Sequence, residues 1–182
     1  RGVRFFAYCC LPTSSSARAK PIIQRNFNCM TLPNFMDANP NADALSIVVM
    51  AAGKGTRMKS ALPKVLHPLA GRSLLHHVLN TTAGLGGSGT SSTFRTIVIT
   101  GHEAARVEAA TAGMEGVRCV RQEPQLGTGH AVQQAVPLLP DAGTTLILNG
   151  DVPLIEAATA HALAAACGGT KLALLTTLLA DA

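Results

Sequence analysis

Apolar residues occur along the chain in short runs that alternate with amphipathic segments. The run Leu45–Met50 is apolar almost without interruption and rich in β-branched residues, as expected of a strand that is buried on both faces. Four more segments are predicted to be strands: Thr96–Thr100, Val117–Arg121, Thr145–Asn149 and Lys171–Thr177.

Between these strands the apolar positions follow a helical period. Ser73 belongs to a residue type that caps helices, and the leucines and valine that follow it are spaced to form one helix face. The first predicted helix therefore starts at Ser73 and ends near Thr82. The other predicted helices are Glu103–Ala112, Gly127–Leu139 and Glu156–Cys167.

Strands and helices alternate and are joined by short connections, apart from a loop rich in Gly, Ser and Thr at residues 84–93. This order predicts βαβ units, and therefore an α/β domain with a Rossmann-like parallel sheet and helices on both faces. In such sheets ligands bind beyond the carboxyl ends of the strands. We expect the functional residues at that edge, within a domain that spans residues 45–182.

Residues 1–44 show neither a helical nor a strand period and are predicted to be a disordered leader. Five of the 15 basic residues precede Asp37, and none of the ten acidic residues does. Three interpretations remain open: Met36 is the true start, residues 1–35 are an organelle transit peptide, or the segment is a functional arm. The expected location is the cytoplasm, or an organelle under the second interpretation.

Composition narrows the function classes. The formal charge of +5 comes from the leader, because the rest of the chain carries equal numbers of basic and acidic residues. That balance, with an aromatic content of 3%, argues against a nucleic-acid-binding surface. The longest apolar runs are about eight residues, too short for a transmembrane helix, so no membrane partner is expected. The five cysteines are predicted to be reduced thiols.

A basic, glycine-rich loop follows the first strand, with the sequence Ala51-Ala52-Gly53-Lys54-Gly55-Thr56-Arg57. Gly53 and Gly55 are expected to adopt positive φ angles, and exposed N–H groups in such a loop can bind an anion. Lys54 and Arg57 add positive charge that suits phosphate. Taken alone, the pattern also fits an ordinary basic turn, and it matches neither the Walker nor the dinucleotide-binding pattern.

Together with Pro63-Lys64, this loop resembles the signature of the nucleotidyltransferase superfamily, Gly-x-Gly-Thr-Arg followed by Pro-Lys. The resemblance implies that the loop binds a nucleotide from Ala51 onward and wraps its triphosphate. It also implies that Arg57 and Lys64 are catalytic residues, with Lys64 reaching the reacting phosphates. Pro63 restricts the local backbone and helps to aim that lysine.

A second polar loop, residues 122–130, lies between the third strand and its helix. Glutamine offers both donors and an acceptor, which suits the edge of a pyrimidine. The residues alone also fit a helix capped by Thr128, with Gln122 and Gln125 in solvent. The motif Gln-x-x-Gln-Leu-Gly-Thr-Gly-His-Ala resembles the uracil-binding loop of bacterial N-acetylglucosamine-1-phosphate uridylyltransferases. That resemblance implies base recognition by Gln122 and the backbone near Gly127, with Gln125 and Thr128 completing the pocket.

The fourth strand runs into Asn149-Gly150-Asp151, which places one carboxylate at a strand tip. Mg²⁺ takes oxygen ligands, and few protein carboxylates are needed when phosphates and water complete its shell. Asp151 suits that role, while Asn149 and Gly150 are expected on the sugar-phosphate side, with Gly150 leaving room for a ligand. A turn-forming Asp after a strand is the alternative interpretation.

The resemblance to these uridylyltransferases covers residues 45–182 in register, with all three motifs in order. It implies transfer of UMP from UTP to N-acetylglucosamine 1-phosphate, with Mg²⁺ as the cofactor and pyrophosphate as the second product. The family continues beyond Ala182, so we expect a sheet that is incomplete at its C-terminal end and a fragment that is inactive by itself. Full-length relatives are implied to be homo-oligomers, trimers through a C-terminal domain.

Two other functions remain open. A transferase for another base or acceptor, such as a molybdenum-cofactor guanylyl- or cytidylyltransferase or a hexose-1-phosphate nucleotidyltransferase, shares the first and third motifs. A non-catalytic nucleotide-binding protein can share the fold, although Arg57 and Asp151 argue against it. His130 has no carboxylate or serine partner nearby in sequence and is predicted to be a packed or capping residue, not a general base.

Overall fold

A computed structural model describes residues 8–10, 45–85, 96–140, 143–167 and 172–176. The strands in these ranges are β1 (Tyr8–Cys10), β2 (Leu45–Ala51), β3 (Pro68–Leu69), β4 (Arg72–Ser73), β5 (Thr96–Thr100), β6 (Val117–Arg121), β7 (Thr144–Asn149) and β8 (Ala173–Leu174). The α-helices are α1 (Leu74–Ala83), α2 (Ala104–Thr111), α3 (Thr128–Ala135) and α4 (Ala157–Cys167). None of the helices described in these ranges has both the length and the apolar character needed to span a bilayer.

Six strands form one sheet in the order β6-β5-β2-β7-β1-β8. β2 lies between β5 and β7 and is parallel to both, and β6 is parallel to β5. Ile47 of β2 pairs with Thr96 on one side and with Leu146 on the other. The predicted parallel α/β sheet is therefore confirmed over these four strands.

Strand β2 contributes to the core on both faces of the sheet. Ile47 and Val49 belong to one cluster of buried apolar side chains, which includes residues of α1, α2 and α4. Val48 belongs to a second cluster, which includes residues of α3. Successive side chains of a strand point to opposite faces, so a strand that is apolar at every position needs helices on both sides. The two clusters confirm the predicted helices on both faces.

Two helix termini show how the sequence sets the boundaries. Ser73 Oγ accepts a hydrogen bond from the backbone N–H of His76 at 3.2 Å, which is the contact expected of a helix cap. The predicted third helix runs to Leu139, but a 3₁₀ turn replaces its last part at Val136–Leu138. Pro137 accounts for the change, because it has no N–H to continue the hydrogen-bond ladder and its ring clashes with the preceding turn.

The edge of the sheet beyond β7 differs from the prediction. No strand is predicted in residues 1–44, yet Tyr8–Cys10 form β1, which pairs antiparallel with β7. The predicted last strand, Lys171–Thr177, is observed as Ala173–Leu174 and pairs antiparallel with β1. A strand of three residues is too short to show a period of two, so its pairing leaves no local pattern. For residues 1–7 and 11–44, the leader prediction lies outside the described residues.

An ion pair joins α2 to β6. The Arg121 guanidinium donates to both carboxylate oxygens of Glu108, from Nε and from Nη2, each at 2.7 Å. Thr100 Oγ1 donates to the same carboxylate at 3.2 Å. These bonds, above all those from Arg121, hold the pKa of Glu108 below its usual value. The carboxylate is therefore more stable in the folded chain than in the unfolded one.

We expect Glu108→Gln to lower the urea midpoint of unfolding at pH 7 by at most a few tenths of a molar, because exposed pairs contribute little. Because the pKa of Glu108 is lowered by folding, the ion pair stabilises the fold at pH values above the pKa that this carboxyl group has in the unfolded chain. This stabilisation is lost as the pH falls through the folded pKa. The difference between Glu108→Gln and wild type should therefore close in acid. Glu115→Gln, which changes an exposed acid just before β6, serves as the control, and a difference independent of pH would contradict the assignment.

Candidate functional site

The carboxyl ends of β2, β5, β6 and β7 meet at one edge of the sheet, because these four strands are parallel. The loops that leave this edge are residues 52–66, 101–103, 122–127 and 150–153. Backbone hydrogen bonds tie them to their neighbours: His102 N–H donates to Ala52 O at 3.3 Å, and Gln122 N–H donates to Thr100 O at 2.7 Å. The three motifs found in the sequence therefore leave the sheet at the same edge.

The glycine-rich loop turns sharply at Gly55, which has a φ of 58°. A side chain there would be strained, and its Cβ would lie 2.9 Å from the Cβ of Lys64. Gly55 therefore lets the backbone of this loop pass close to Lys64. Gly53 does not have a positive φ and faces open space, so the expectation of positive φ angles at both glycines is wrong for Gly53.

Lys64 and Asp151 form the contact that joins the first and third motifs. The Lys64 ammonium donates to Asp151 Oδ2, and the two charged groups form an ion pair. Buried Pro63 precedes the 3₁₀ turn Lys64–Leu66 and restricts the backbone that carries the lysine. Two charged residues far apart in sequence thus meet at the carboxyl edge of the sheet.

The turn after β7 places Asp151. Gly150 N–H donates to Met50 O at 2.9 Å, which attaches the turn to the end of β2. A Cβ at Gly150 would lie 3.0 Å from that carbonyl oxygen and 3.3 Å from Leu75 Cδ1. The close approach at Gly150 is therefore to the protein itself. Contacts of Asn149 and Gly150 with a sugar phosphate stay predictions.

Of the described residues in the first and third motifs, Asp151 is the one carboxylate available to a divalent cation. The Asp151 side chain is 30% exposed. Among the described residues, no group of three or more His, Cys, Asp or Glu could hold a metal. Such a site does not bind a cation with protein ligands alone. It fits a divalent cation that takes its remaining ligands from phosphate and water.

Gln122 is buried at the start of the second polar loop, with 5% of its surface exposed. Its side-chain Nε2 donates to Gly127 O at 2.9 Å. Gly127 has a φ of 102° and is the N-cap residue of α3, and no side chain caps this helix. The alternative interpretation of this loop, with Thr128 as the cap and both glutamines in solvent, is therefore wrong for Thr128 and Gln122, whereas Gln125 is exposed as that interpretation expects.

Gly101, which the sequence analysis missed, lies where two of the loops meet. A Cβ on Gly101 would come within 2.8 Å of both Ala52 Cβ and Gln125 Nε2. The glycine therefore lets the Gln125 side chain approach the end of β2. The sequence marks Gly101 only by its position directly after a predicted strand, at the edge of the sheet where ligands bind. The loops here line a cleft of about 470 Å³, which is formed by Lys54, Gly101, His102, Glu103, Ala104, Arg121, Gln122, Glu123, Pro124 and Gln125.

We expect Gly101→Ala to destabilise the fold by about 1–3 kcal/mol, the usual cost of forcing an extra methyl group into a packed site. Gly84→Ala is the matched control, because Gly84 has a negative φ and its added Cβ would meet its nearest atom at 3.5 Å. Urea denaturation of both variants measures the difference. If Gly101→Ala were as stable as Gly84→Ala, the loops would not be packed as described.

The remaining residues predicted in the first two motifs lie in the same loops, and their roles stay predictions. Lys54, Thr56 and Arg57 are exposed in the glycine-rich loop, and Gln125 and Thr128 are exposed around α3. The structure brings Lys64, Asp151, Gln122 and Gln125 to one edge of the sheet. The phosphate contacts of Arg57 and Lys54 stay predictions.

Known proteins are similar to this sequence over part of their length. The chain is 69% identical over 140 residues to the bifunctional protein GlmU of Methylibium petroleiphilum. It is 60% identical over 143 residues to the bifunctional protein GlmU of Polaromonas naphthalenivorans. Both alignments cover 75% of this chain and 29% of the relative, so the chain spans less than a third of the length of these relatives.

The fold is shared with a solved structure, a nucleotidyl transferase from Methanothermobacter thermautotroptrophicus. The two agree with a TM-score of 0.56 at 30% identity, over 67% of this chain and 57% of that chain. The sequence profile of the MobA-like NTP transferase domain matches residues 47–177, a range that contains all three motifs. This chain belongs to the MobA-like NTP transferase family.

Proposed function

We propose that this chain supplies the nucleotide half of a uridylyltransferase site. The reaction transfers UMP from UTP to N-acetylglucosamine 1-phosphate and gives UDP-N-acetylglucosamine and pyrophosphate. The observation that carries the proposal is the contact between Lys64 and Asp151, which joins the glycine-rich loop to the tip of β7. A cation beside a carboxylate at this edge of a parallel sheet suits a polyphosphate that arrives with a metal ion. The high identity to GlmU proteins supports this choice of sugar nucleotide.

The second polar loop supports UTP as the nucleotide. Gln122 lines the cleft, and its carboxamide can bond to the edge of a pyrimidine. Lys54 lines the same cleft, and Gln125 lies against Gly101 beside the end of β2. A base held at Gln122 would therefore place its phosphates toward the glycine-rich loop.

The proposed chemistry needs positive charge and position, not a general base. An oxygen of the sugar phosphate attacks the α-phosphorus of UTP in line, and pyrophosphate leaves. A phosphate monoester is already a competent nucleophile, so the chain acts by aligning and neutralising the reactants. Lys54 and Arg57 would neutralise the departing pyrophosphate, and Lys64 would stabilise the pentacovalent phosphorus. Mg²⁺ held by Asp151 would add positive charge at the phosphates.

Lys64 has to leave Asp151 before it can bind a phosphate. The two side chains are 38% and 30% exposed, so water already screens the pair and separating it costs little. A polyphosphate offers the ammonium group more negative charge than one carboxylate does. The contact with Asp151 thus holds Lys64 at the site until the nucleotide arrives.

A panel of substrates tests the proposal. The full-length protein is given UTP, CTP, GTP or ATP with either N-acetylglucosamine 1-phosphate or glucose 1-phosphate, and pyrophosphate release is measured. We expect the highest kcat/KM with UTP and N-acetylglucosamine 1-phosphate. A preference for GTP or CTP would show a transferase for another base. Nucleotide binding without pyrophosphate release would show a non-catalytic protein.

A further inference from the structure

His130 contacts the residue that the proposed function assigns to the base. It lies in the first turn of α3, half-buried, with Nδ1 3.2 Å from Gln122 Nε2 and Nε2 3.1 Å from the side-chain nitrogen of Gln134. We infer that His130 is a positioning residue. It fixes the carboxamide of Gln122 so that only the oxygen is available to a base, which favours uracil over cytosine. This inference rests on the proposed function and adds to it the cause of base selectivity.

The orientation of the Gln122 carboxamide follows from its contact with Gly127. The carbonyl oxygen of Gly127 can only accept, and it lies 2.9 Å from Gln122 Nε2. Turning the carboxamide over would bring two oxygens together at that distance. Nε2 therefore faces Gly127, and one of its two hydrogens is used there. The second hydrogen points to the remaining neighbour of Nε2, the imidazole ring of His130.

The contact with His130 then determines the tautomer of the ring. Nδ1 must accept from Gln122, so it carries no hydrogen, and the hydrogen of the neutral ring is on Nε2. Nε2 needs an acceptor, and its neighbour is the carboxamide of Gln134. That carboxamide presents its oxygen after a half-turn about its last bond, which exchanges the positions of its oxygen and nitrogen. The half-turn gives up the 3.3 Å bond from Gln134 Nε2 to His130 O and places the Gln134 oxygen near that carbonyl oxygen. This contact is longer than the 2.9 Å separation that fixes Gln122, and the bond gained from His130 Nε2 offsets it.

The selectivity for uracil over cytosine follows from the hydrogen-bonding group of Gln122 that remains available to a base. Both of its N–H groups are occupied, one by Gly127 and one by His130. The free group is the carboxamide oxygen, an acceptor. Uracil offers an N–H at N3, which can donate to that oxygen, whereas N3 of cytosine has a lone pair and repels it. A buried acceptor that meets another acceptor loses a hydrogen bond and its solvation, which discriminates strongly between ligands.

Binding measurements on the wild-type chain and two variants test this role. His130→Leu removes the acceptor for Gln122, while His130→Asn keeps an oxygen close to the position of Nδ1. UTP, CTP and inorganic tripolyphosphate are titrated separately by calorimetry. We expect His130→Leu to weaken UTP binding about tenfold and to leave tripolyphosphate unchanged, because one hydrogen bond is lost from the base half only. His130→Asn should return the preference for UTP over CTP to within about threefold of wild type.

The outcomes separate a positioning role from a structural one. Thermal unfolding of each variant shows whether it is folded. A folded His130→Leu with the wild-type ratio of UTP to CTP affinity would overturn the inference alone. Equal weakening of all three ligands, or equal loss in His130→Leu and His130→Asn, would overturn it too, because packing and not the acceptor would then matter. A wild-type chain with no preference for UTP would overturn the proposed function itself.

Discussion

Replacing Asp151 with asparagine is expected to lower the rate of UDP-N-acetylglucosamine formation about 10²–10³-fold, by analogy with the loss of one electrostatic contact to a reacting group. The change keeps the size of the side chain and removes its negative charge. Asp151 is the carboxylate that fits a divalent cation at this edge of the sheet, and it is also the partner of Lys64. Activity of the full-length variant over a series of Mg²⁺ concentrations checks the prediction.

Two further measurements separate the loss of a metal ligand from a general effect of charge. Glu156→Gln removes an exposed acid a few residues after Asp151 and should keep nearly all of the activity. Binding of Mn²⁺ in the presence of UTP, followed by electron paramagnetic resonance, should weaken in Asp151→Asn and stay unchanged in Glu156→Gln. If Asp151→Asn kept a third of the wild-type rate, the metal would be held elsewhere.

The central fold was predictable because local patterns carry it. Leu45–Ala51 is buried on both faces, so nearly every position is apolar and the strand stands out in the sequence. Ser73 caps α1 by accepting a hydrogen bond from the N–H of His76, which is only three residues further along the chain. The pairing of Tyr8–Cys10 with β7 was not predictable, because it joins distant parts of the chain and depends on the edge that the other strands leave open.

The site was predictable as a set of residue types, but the contacts within it were not. Gly55 was expected to bind an anion, whereas the structure adds a second reason for a glycine, the close approach of Lys64. Gly101 was not found at all, because a lone glycine after a strand has no motif. The role that we infer for His130 depends on the positive φ of Gly127, the residue before α3. The turn there brings His130, in the first turn of α3, into contact with Gln122 at the start of the loop. Such contacts come from the path of the backbone, which local patterns describe only coarsely.

Lys64→Met is expected to reduce the rate of transfer about 10²–10³-fold while changing stability little. Methionine keeps most of the length of the side chain and removes the charge that the proposal places at the reacting phosphorus. The partner carboxylate is 30% exposed and stays hydrated without the lysine, so little folding energy is at stake. Lys59→Met is the matched control, an exposed lysine in the same loop that should tolerate the change. Pyrophosphate release measures the rate of transfer and urea denaturation measures stability, and both are measured on Lys64→Met and Lys59→Met.

The double variant Lys64→Met/Asp151→Asn shows whether the two residues act on one polyphosphate. If Lys64 and a metal on Asp151 neutralise the same phosphates, the losses should not multiply, because the second substitution removes part of an arrangement that the first has already broken. We therefore expect the double variant to be at most about tenfold slower than the slower single variant. Fully multiplicative losses would mean that the two groups act independently, and the ion pair between them would then have no part in the chemistry.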